Sequence, residues 1–173
     1  MLIRKEKLTT KNLVLKPLQN EDRNALISLL ENALIKKTYM CPVFKSEEDK
    51  NKCFLRLKDI SNGNEKLLYG IYVNKSLIGF INEVCSDDNT IELGYLINPN
   101  EWNKGYATEA LSIVISEVFR MGYKVVECGH FEENPASGRV MQKCGMQKIS
   151  KTEEIDYAGS KHLCLYYSIE NKN

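Results

Sequence analysis

Trp102-Asn-Lys-Gly-Tyr-Ala-Thr-Glu-Ala110 decides how this chain is read. It follows a strand-like run, Thr90 to Ile97, and Asn98-Pro99-Asn100 breaks the chain between them. An amphipathic helix starts near Gly105, with Ala107, Leu111, Val114, Val118 and Met121 recurring at spacings of four and three. A glycine and small residues at the mouth of a helix let a ligand approach the backbone closely. The N–H groups of the first turn and the helix dipole then favour an anion. Lys104 adds a full positive charge beside them. Asn103, Lys104, Gly105, Tyr106, Ala107 and Thr108 therefore read as a phosphate seat. Within it Thr108 either reaches a phosphate or caps its own helix, and Tyr106 reads as packing. A P-loop would need Gly-Lys-Ser/Thr, and here the order is Lys-Gly.

The rest of the chain supplies the setting. With 173 residues, 43% apolar and 27% charged, it reads as one domain over 1–173, large enough for a proper core. The net charge of +1 gives no general pull toward nucleic acid. No apolar run approaches the ~18–20 residues of a membrane span. The start, Met1-Leu-Ile-Arg-Lys-Glu-Lys, lacks the apolar core of a signal peptide, so a cytoplasmic location is expected. The six cysteines, at 41, 53, 85, 128, 144 and 164, contain no Cys-x-x-Cys pair. With two histidines, His130 and His162, no metal-ligand spacing appears and no metal is expected. Reduced thiols follow from the size and the missing signal. A Cys128–His130 nucleophile shares a strand face but lacks an orienting third group.

Along the chain, Leu8 to Leu18 reads as one edge strand. Helices follow from Asn20 and from Ser46, the latter with Asp49 three places on and a stop at Ser61-Asn-Gly-Asn. Leu67 to Val73 and Leu77 to Val84 form a hairpin about Asn74-Lys75, and Ile91 to Ile97 is the third strand. After the phosphate-seat helix, stopped by Gly122, come a strand at Val125, a short helix from Asn134 to Lys143 closed by Gly145, and a hairpin from Met146 to Ile169. The tail from Glu170 is expected to fray. This order gives an α/β (α+β) fold, a mixed sheet with helices on both faces.

Trp102-x-x-Gly105-x-Ala107 resembles the (Gln/Arg)-x-x-Gly-x-(Gly/Ala) loop of the GNAT superfamily of N-acetyltransferases. Gly105-Tyr-Ala-Thr-Glu-Ala110 is similar to its RimJ/RimL-type branch. Asn134-Pro-Ala-Ser-Gly-Arg-Val-Met-Gln-Lys-Cys-Gly145 resembles the family's Asn-x-x-Ser…Lys-x-Gly helix, and Leu8 to Pro17 its first strand. The resemblance implies a mostly antiparallel sheet of about seven strands, splayed in the middle. It implies acetyl-CoA as co-substrate, its pyrophosphate on residues 103–108. The pantetheine arm would pair with backbone groups near Leu96 and Ile97, whose N–H groups also suit the thioester oxygen. Asn134 would lie beside that arm and Ser137 near the sulfur. Asn134 is also a favoured N-cap, able to accept from Ser137 N–H. Many members carry a tyrosine donor four residues after that serine. Here Met141 stands there, leaving Ser137 as partner of the thiolate.

On the amine side, Glu92 is the candidate base, alternating with Ile91 and Leu93 and so pointing away from their face. Glu109, in a helix first turn, reads as structural. A base matters for a lysine-like amine (reference pKa about 10.4) more than for an α-amine (about 7.7–8.0). The partners expected are acetyl-CoA and an amine acceptor, with no nucleic acid or membrane, in a monomer or homodimer. The acceptor is open among a protein N-terminus, an amino sugar antibiotic, a polyamine and an amino acid. Lys36 to Glu48 and Asp156 to Lys161 would frame its pocket. The alternative is a non-catalytic acyl-CoA-binding sensor or scaffold, which the methionine at 141 keeps open.

Overall fold

A computed structural model describes residues 3–172. Met1 and Leu2 of the leader reading, and Asn173 of the tail, lie outside the described residues. One sheet of eight strands organises the described residues, in the order β1-β2-β3-β4-β5-β6-β8-β7. The strands are β1 (Leu8–Thr9), β2 (Val14–Lys16), β3 (Leu68–Val73), β4 (Ser76–Ser86), β5 (Thr90–Ile97), β6 (Val125–Phe131), β7 (Gln147–Tyr157) and β8 (Ser160–Glu170). Neighbours run antiparallel throughout except β5 and β6, which are parallel.

The count exceeds seven because Leu8 to Leu18 is not one strand. Leu13 N–H donates to Thr10 Oγ and Thr10 N–H to Leu13 O, both at 3.0 Å, reversing the chain so that Leu8 pairs with Leu15. A threonine side chain replaces a turn's backbone bond here. The tail is also held further than expected: Glu170 ends β8 and Asn171 N–H donates to Lys124 O at 2.8 Å.

The helices are α1 (Arg23–Glu31), α2 (Ala33–Lys36), α3 (Glu47–Asn62), α4 (Tyr106–Met121) and α5 (Pro135–Lys143). Ser46 caps α3 by accepting from Asp49 N–H. Gly122 ends α4 in the left-handed region, at a φ of +112°. Asn74 and Lys75, at φ of +48° and +70°, make the β3–β4 turn.

Two cores lie on opposite faces of the sheet. One joins Tyr69, Ile71, Ile91, Leu93 and Val126 to Leu111, Val114 and Val118 of α4 and Met141 of α5. The other joins Leu68, Tyr72, Phe80 and Leu96 to Leu26 and Leu30 of α1 and Phe54 of α3. β3 is buried at five consecutive positions because both faces are covered. α4 is also tied to the N-terminal segment. Buried Glu117 accepts from Lys5 N–H at 2.6 Å and from Arg120 at 2.6 and 2.9 Å.

Candidate active site

The loop from Trp102 to Thr108 is held by its own first residue. Trp102 Nε1–H donates to Ile97 O at 2.7 Å, folding the loop back on the end of β5. Asn103 and Gly105 then take φ of +62° and +83°, turning the chain into α4. The first bond of the α4 ladder is Glu109 N–H to Gly105 O, at 3.0 Å. The amides of Tyr106, Ala107 and Thr108 precede it and point out of the helix end. A Cβ on Gly105 would meet nothing within 4 Å among the described residues, so the space in front of these amides is open. Tyr106 and Ala107 pack against the α4-side core.

Lys104 is half exposed and its Nζ lies 2.8 Å from Glu101 Oε2, so its charge is shared with a neighbour in the same loop. Glu109 turns away from the helix end. It accepts from Asn12 N–H at 2.8 Å, from Asn12 Nδ2 at 2.9 Å and from Thr10 Oγ, clamping the β1–β2 turn onto α4. Burial pushes its carboxyl up, and these bonds outweigh burial and hold it below the ordinary carboxylate range.

Beside this loop the sheet opens. β5 and β6 pair from Thr90↔Val125 to Glu92↔Glu127 and then part. β6 stays paired with β8 as far as Phe131↔Cys164, so beyond Glu92 it is the β5 edge that is left facing a gap. Peptide groups alternate along that edge. Asn98 N–H donates to Ile78 O at 2.7 Å, and a Cβ on Gly79 would collide with the Leu96 carbonyl, so Leu96 and Asn98 face β4. Tyr95 therefore presents its backbone N–H and C=O to the opening and Ile97 its N–H, the Ile97 carbonyl already accepting from Trp102, while Leu96 lends its buried side chain to the core below.

α5 stands on the far side. Its N-cap, Asn134, makes no side-chain capping bond. The bond expected from Ser137 N–H goes instead to the Asn134 backbone carbonyl, at 3.2 Å. The Asn134 amide thus takes no part in capping. Tyr95 reaches across the opening, and its Oη–H donates to Ser137 O at 3.2 Å. Met141, 1% exposed, is sealed in the core.

Cys128 and His130 share the α5 face of β6 but do not form a nucleophilic pair. Burial pushes the Cys128 thiol up, and its sulfur accepts from Leu93 N–H. His130 Nδ1–H donates to Phe131 O at 2.7 Å, and its buried Nε2 has no partner among the described residues. That nitrogen sits beneath Gly138, where a Cβ would lie 2.8 Å from it.

The opposite face of the opening carries Glu92, as the alternation implies. It lies 3.4 Å from Lys151 Nζ, which also holds Glu127 at 2.9 Å. Burial works against the Lys151 charge; the two carboxylates outweigh it, and its pKa is raised. Lys151 also sits 4.0 Å above the Tyr166 ring, and Tyr166 Oη–H donates to Glu153 at 2.7 Å. Over this face, Tyr39 Oη–H donates to Asn82 Oδ1 at 2.9 Å and Cys41 N–H to Tyr157 Oη at 3.3 Å. The two segments expected to frame the acceptor pocket therefore meet. Sequence reasoning missed Lys151, Tyr39, Asn82 and Tyr95. The partners given for them lie 15 to 59 positions away, pairings that no local motif encodes, and only the shared parity of Tyr95 with Leu93 and Ile97 hinted at its face.

Residues 12–147 match the acetyltransferase (GNAT) domain family. The chain is 32% identical to the N-acetyltransferase YnaD of Bacillus subtilis, over 82% of each chain. It is 27% identical to the N-acetyltransferase YoaA of the same organism, over 94% of this chain and 95% of that one. Its fold is similar to that of RimL, a ribosomal L7/L12 α-N-protein acetyltransferase solved with coenzyme A. The TM-score there is 0.81 at 17% identity, covering 95% of this chain and 98% of RimL.

Proposed function

The chain belongs to the acetyltransferase (GNAT) family and is an N-acetyltransferase; on that premise we propose that it moves the acetyl group of acetyl-CoA to a primary amine by direct attack. One observation carries this reading. The open N-terminus of α4, behind left-handed Gly105, and the parted edge of β5 lie at the two ends of a single loop. A phosphate seat next to an unpaired strand edge suits a ligand that is anionic at one end and amide-like along its arm. RimL, of similar fold, was solved holding such a ligand.

The residues then divide the work. The amides of Asn103 to Thr108 take the pyrophosphate, and Lys104 exchanges Glu101 for it. The edge at Tyr95 and Ile97 pairs with the arm, with Leu96 packed beneath, and Asn134 offers its uncommitted amide. Acetyl-CoA supplies the thioester. The amine nitrogen bonds to the acetyl carbon, the C–S bond breaks with its electron pair going to sulfur, and the amine gives up a proton. Glu92, on the acceptor face, is the candidate to receive that proton, Lys151 holding it in place. Ser137 Oγ, on the cofactor face, steadies the leaving thiolate. The amine belongs to a small molecule or a protein N-terminus.

The test is release of free thiol from acetyl-CoA against a panel of amines. We expect turnover with at least one amine class. Coenzyme A binding without turnover on any amine would support a sensor instead. Ser137→Ala should lower kcat about tenfold, the low end for loss of such a donor, with coenzyme A affinity little changed. An unchanged kcat, measured where chemistry limits the rate, would leave Ser137 without a chemical role.

A further inference from the structure

Resting on the acetyl-transfer reading, we propose that Tyr95 hydrogen-bonds the leaving sulfur from the β5 wall of the opening, supplying the phenol donor that Met141 does not. Tyr95 stands three residues beyond Glu92, the last β5 residue paired with β6. Its ring packs on the α4-side core, only partly buried, and its hydroxyl spans to α5. The acceptor it finds there is Ser137 O, at 3.2 Å.

Three features make that hydroxyl available. The bond is long for O–H···O, whose mode is about 2.7–2.8 Å. The carbonyl of Ser137 points along the helix toward the N–H of Met141, its i+4 partner, so α5 does not depend on the phenol. For the same reason the hydroxyl stands at the turn between Ser137 and Met141, where a tyrosine at 141 would begin. Met141 itself is a thioether sealed in the core and donates nothing.

The surroundings keep the phenol in its donor form. Burial raises its pKa first, and the thiols of Cys128 on β6 and Cys144 at the end of α5 add to this, against the Ser137 side-chain hydroxyl, which lowers it. As the C–S bond breaks and sulfur gains the electron pair, the O–H turns from Ser137 O to the sulfur. A thiol has a reference pKa near 8.5 and a phenol near 10, so a hydrogen bond steadies the thiolate without the proton leaving oxygen. The proton that later makes the thiol comes from solvent.

Tyr95→Phe keeps the ring and removes the donor. Bound coenzyme A is titrated through its thiolate absorbance, as the difference from protein holding coenzyme A without its sulfur; this cancels the protein's own thiols. We expect the bound thiol's pKa to rise by about one unit in the variant, a tenfold loss of thiolate stabilisation. The sulfur-free analogue should bind parent and variant alike, and kcat should fall about 10–100-fold with little change in KM for acetyl-CoA. A difluorotyrosine placed at position 95, a stronger donor, should move the thiol pKa the opposite way, and it serves equally should the phenylalanine variant not fold. An unmoved thiol pKa in protein that binds coenzyme A would overturn the role of Tyr95 and leave the transfer reading standing. Failure of the parent to bind coenzyme A would overturn both.

Discussion

At Gly105 the backbone sits at a φ of +83° and a Cβ would touch nothing among the described residues, whereas at Gly138 a Cβ would lie 2.8 Å from His130 Nε2 and 3.2 Å from Tyr167 Oη. The first glycine answers a backbone need and the second a packing need, so their variants should behave differently. Gly105→Ala should cost about 1 kcal/mol of left-handed strain and weaken coenzyme A modestly. Gly105→Glu puts a carboxylate in the proposed phosphate seat and should abolish binding by calorimetry; a variant as tight as the parent would remove the seat from this loop. Gly138→Ala pushes into a ring that the Phe131 carbonyl fixes at 2.7 Å. We expect about 1–3 kcal/mol of destabilisation in urea, the range for overpacking. His130→Ala should relieve much of that cost. If the two costs simply add, the contact does not carry the effect.

At the scale of elements, α4 is held to the N-terminal strands by two carboxylates. Glu109 clamps the β1–β2 turn, and Glu117 binds Lys5 N–H and Arg120. Burial pushes each carboxyl up, and the hydrogen bonds more than reverse this, so both lie below the ordinary range. The sign follows: the unfolded chain takes up these protons at a higher pH than the folded one. Each group therefore contributes stability above the unfolded value of about 4.3 and loses it as pH falls through its folded value. The melting temperature should drop on acidification below about pH 4.5, and Glu109→Gln should flatten that drop while lowering stability at pH 7. Equal slopes in parent and variant would show the clamp to be silent. This clamp was half legible. The helix-start position of Glu109 suggested a structural carboxylate, yet its partners lie 97 and 99 residues away. Local chemistry read well: the Ser46 cap, the Asn74-Lys75 turn and the glycines that end α4 and α5 are each set by residues within a few positions. The Thr10 reversal was lost because an alternating run gives no sign that a threonine side chain will replace a backbone bond. In the site the phosphate loop was legible and its pairing was not. Glu101 beside Lys104 is set by the fold of the loop itself, whereas the peptide direction of Leu96 and the reach of Tyr95 depend on which edge of β5 is left open.

Across the whole molecule the same opening that makes the site also interrupts the sheet, with a core on each face to hold it. Cys128 sits where β5 and β6 begin to part. It is 0% exposed, packed among the α4-side core, its sulfur accepting from Leu93 N–H. The six cysteines are free thiols, and Cys85 is exposed on β4. A thiol reagent therefore reports two different events in one experiment. Cys85 should label from the native state without any opening, slowed only by burial and by Glu92, to which its Sγ–H donates, both of which raise its thiol pKa. Cys128 should label only through opening of the sheet and its helices, at a rate set by the equilibrium population of that state when reclosing outpaces the reagent. A ligand that binds α4, β5 and α5 together binds the closed form alone and reduces that population by 1 + [L]/Kd. At coenzyme A about 100 times its Kd, Cys128 labelling should slow about 100-fold while Cys85 is unaffected, read by peptide mass after a timed quench. Denatured, non-reduced protein should yield six modified thiols. If Cys128 labels at the rate of Cys85, the parted strands are not sealed as described. If coenzyme A binds and Cys128 does not slow, its site lies elsewhere than across the opening.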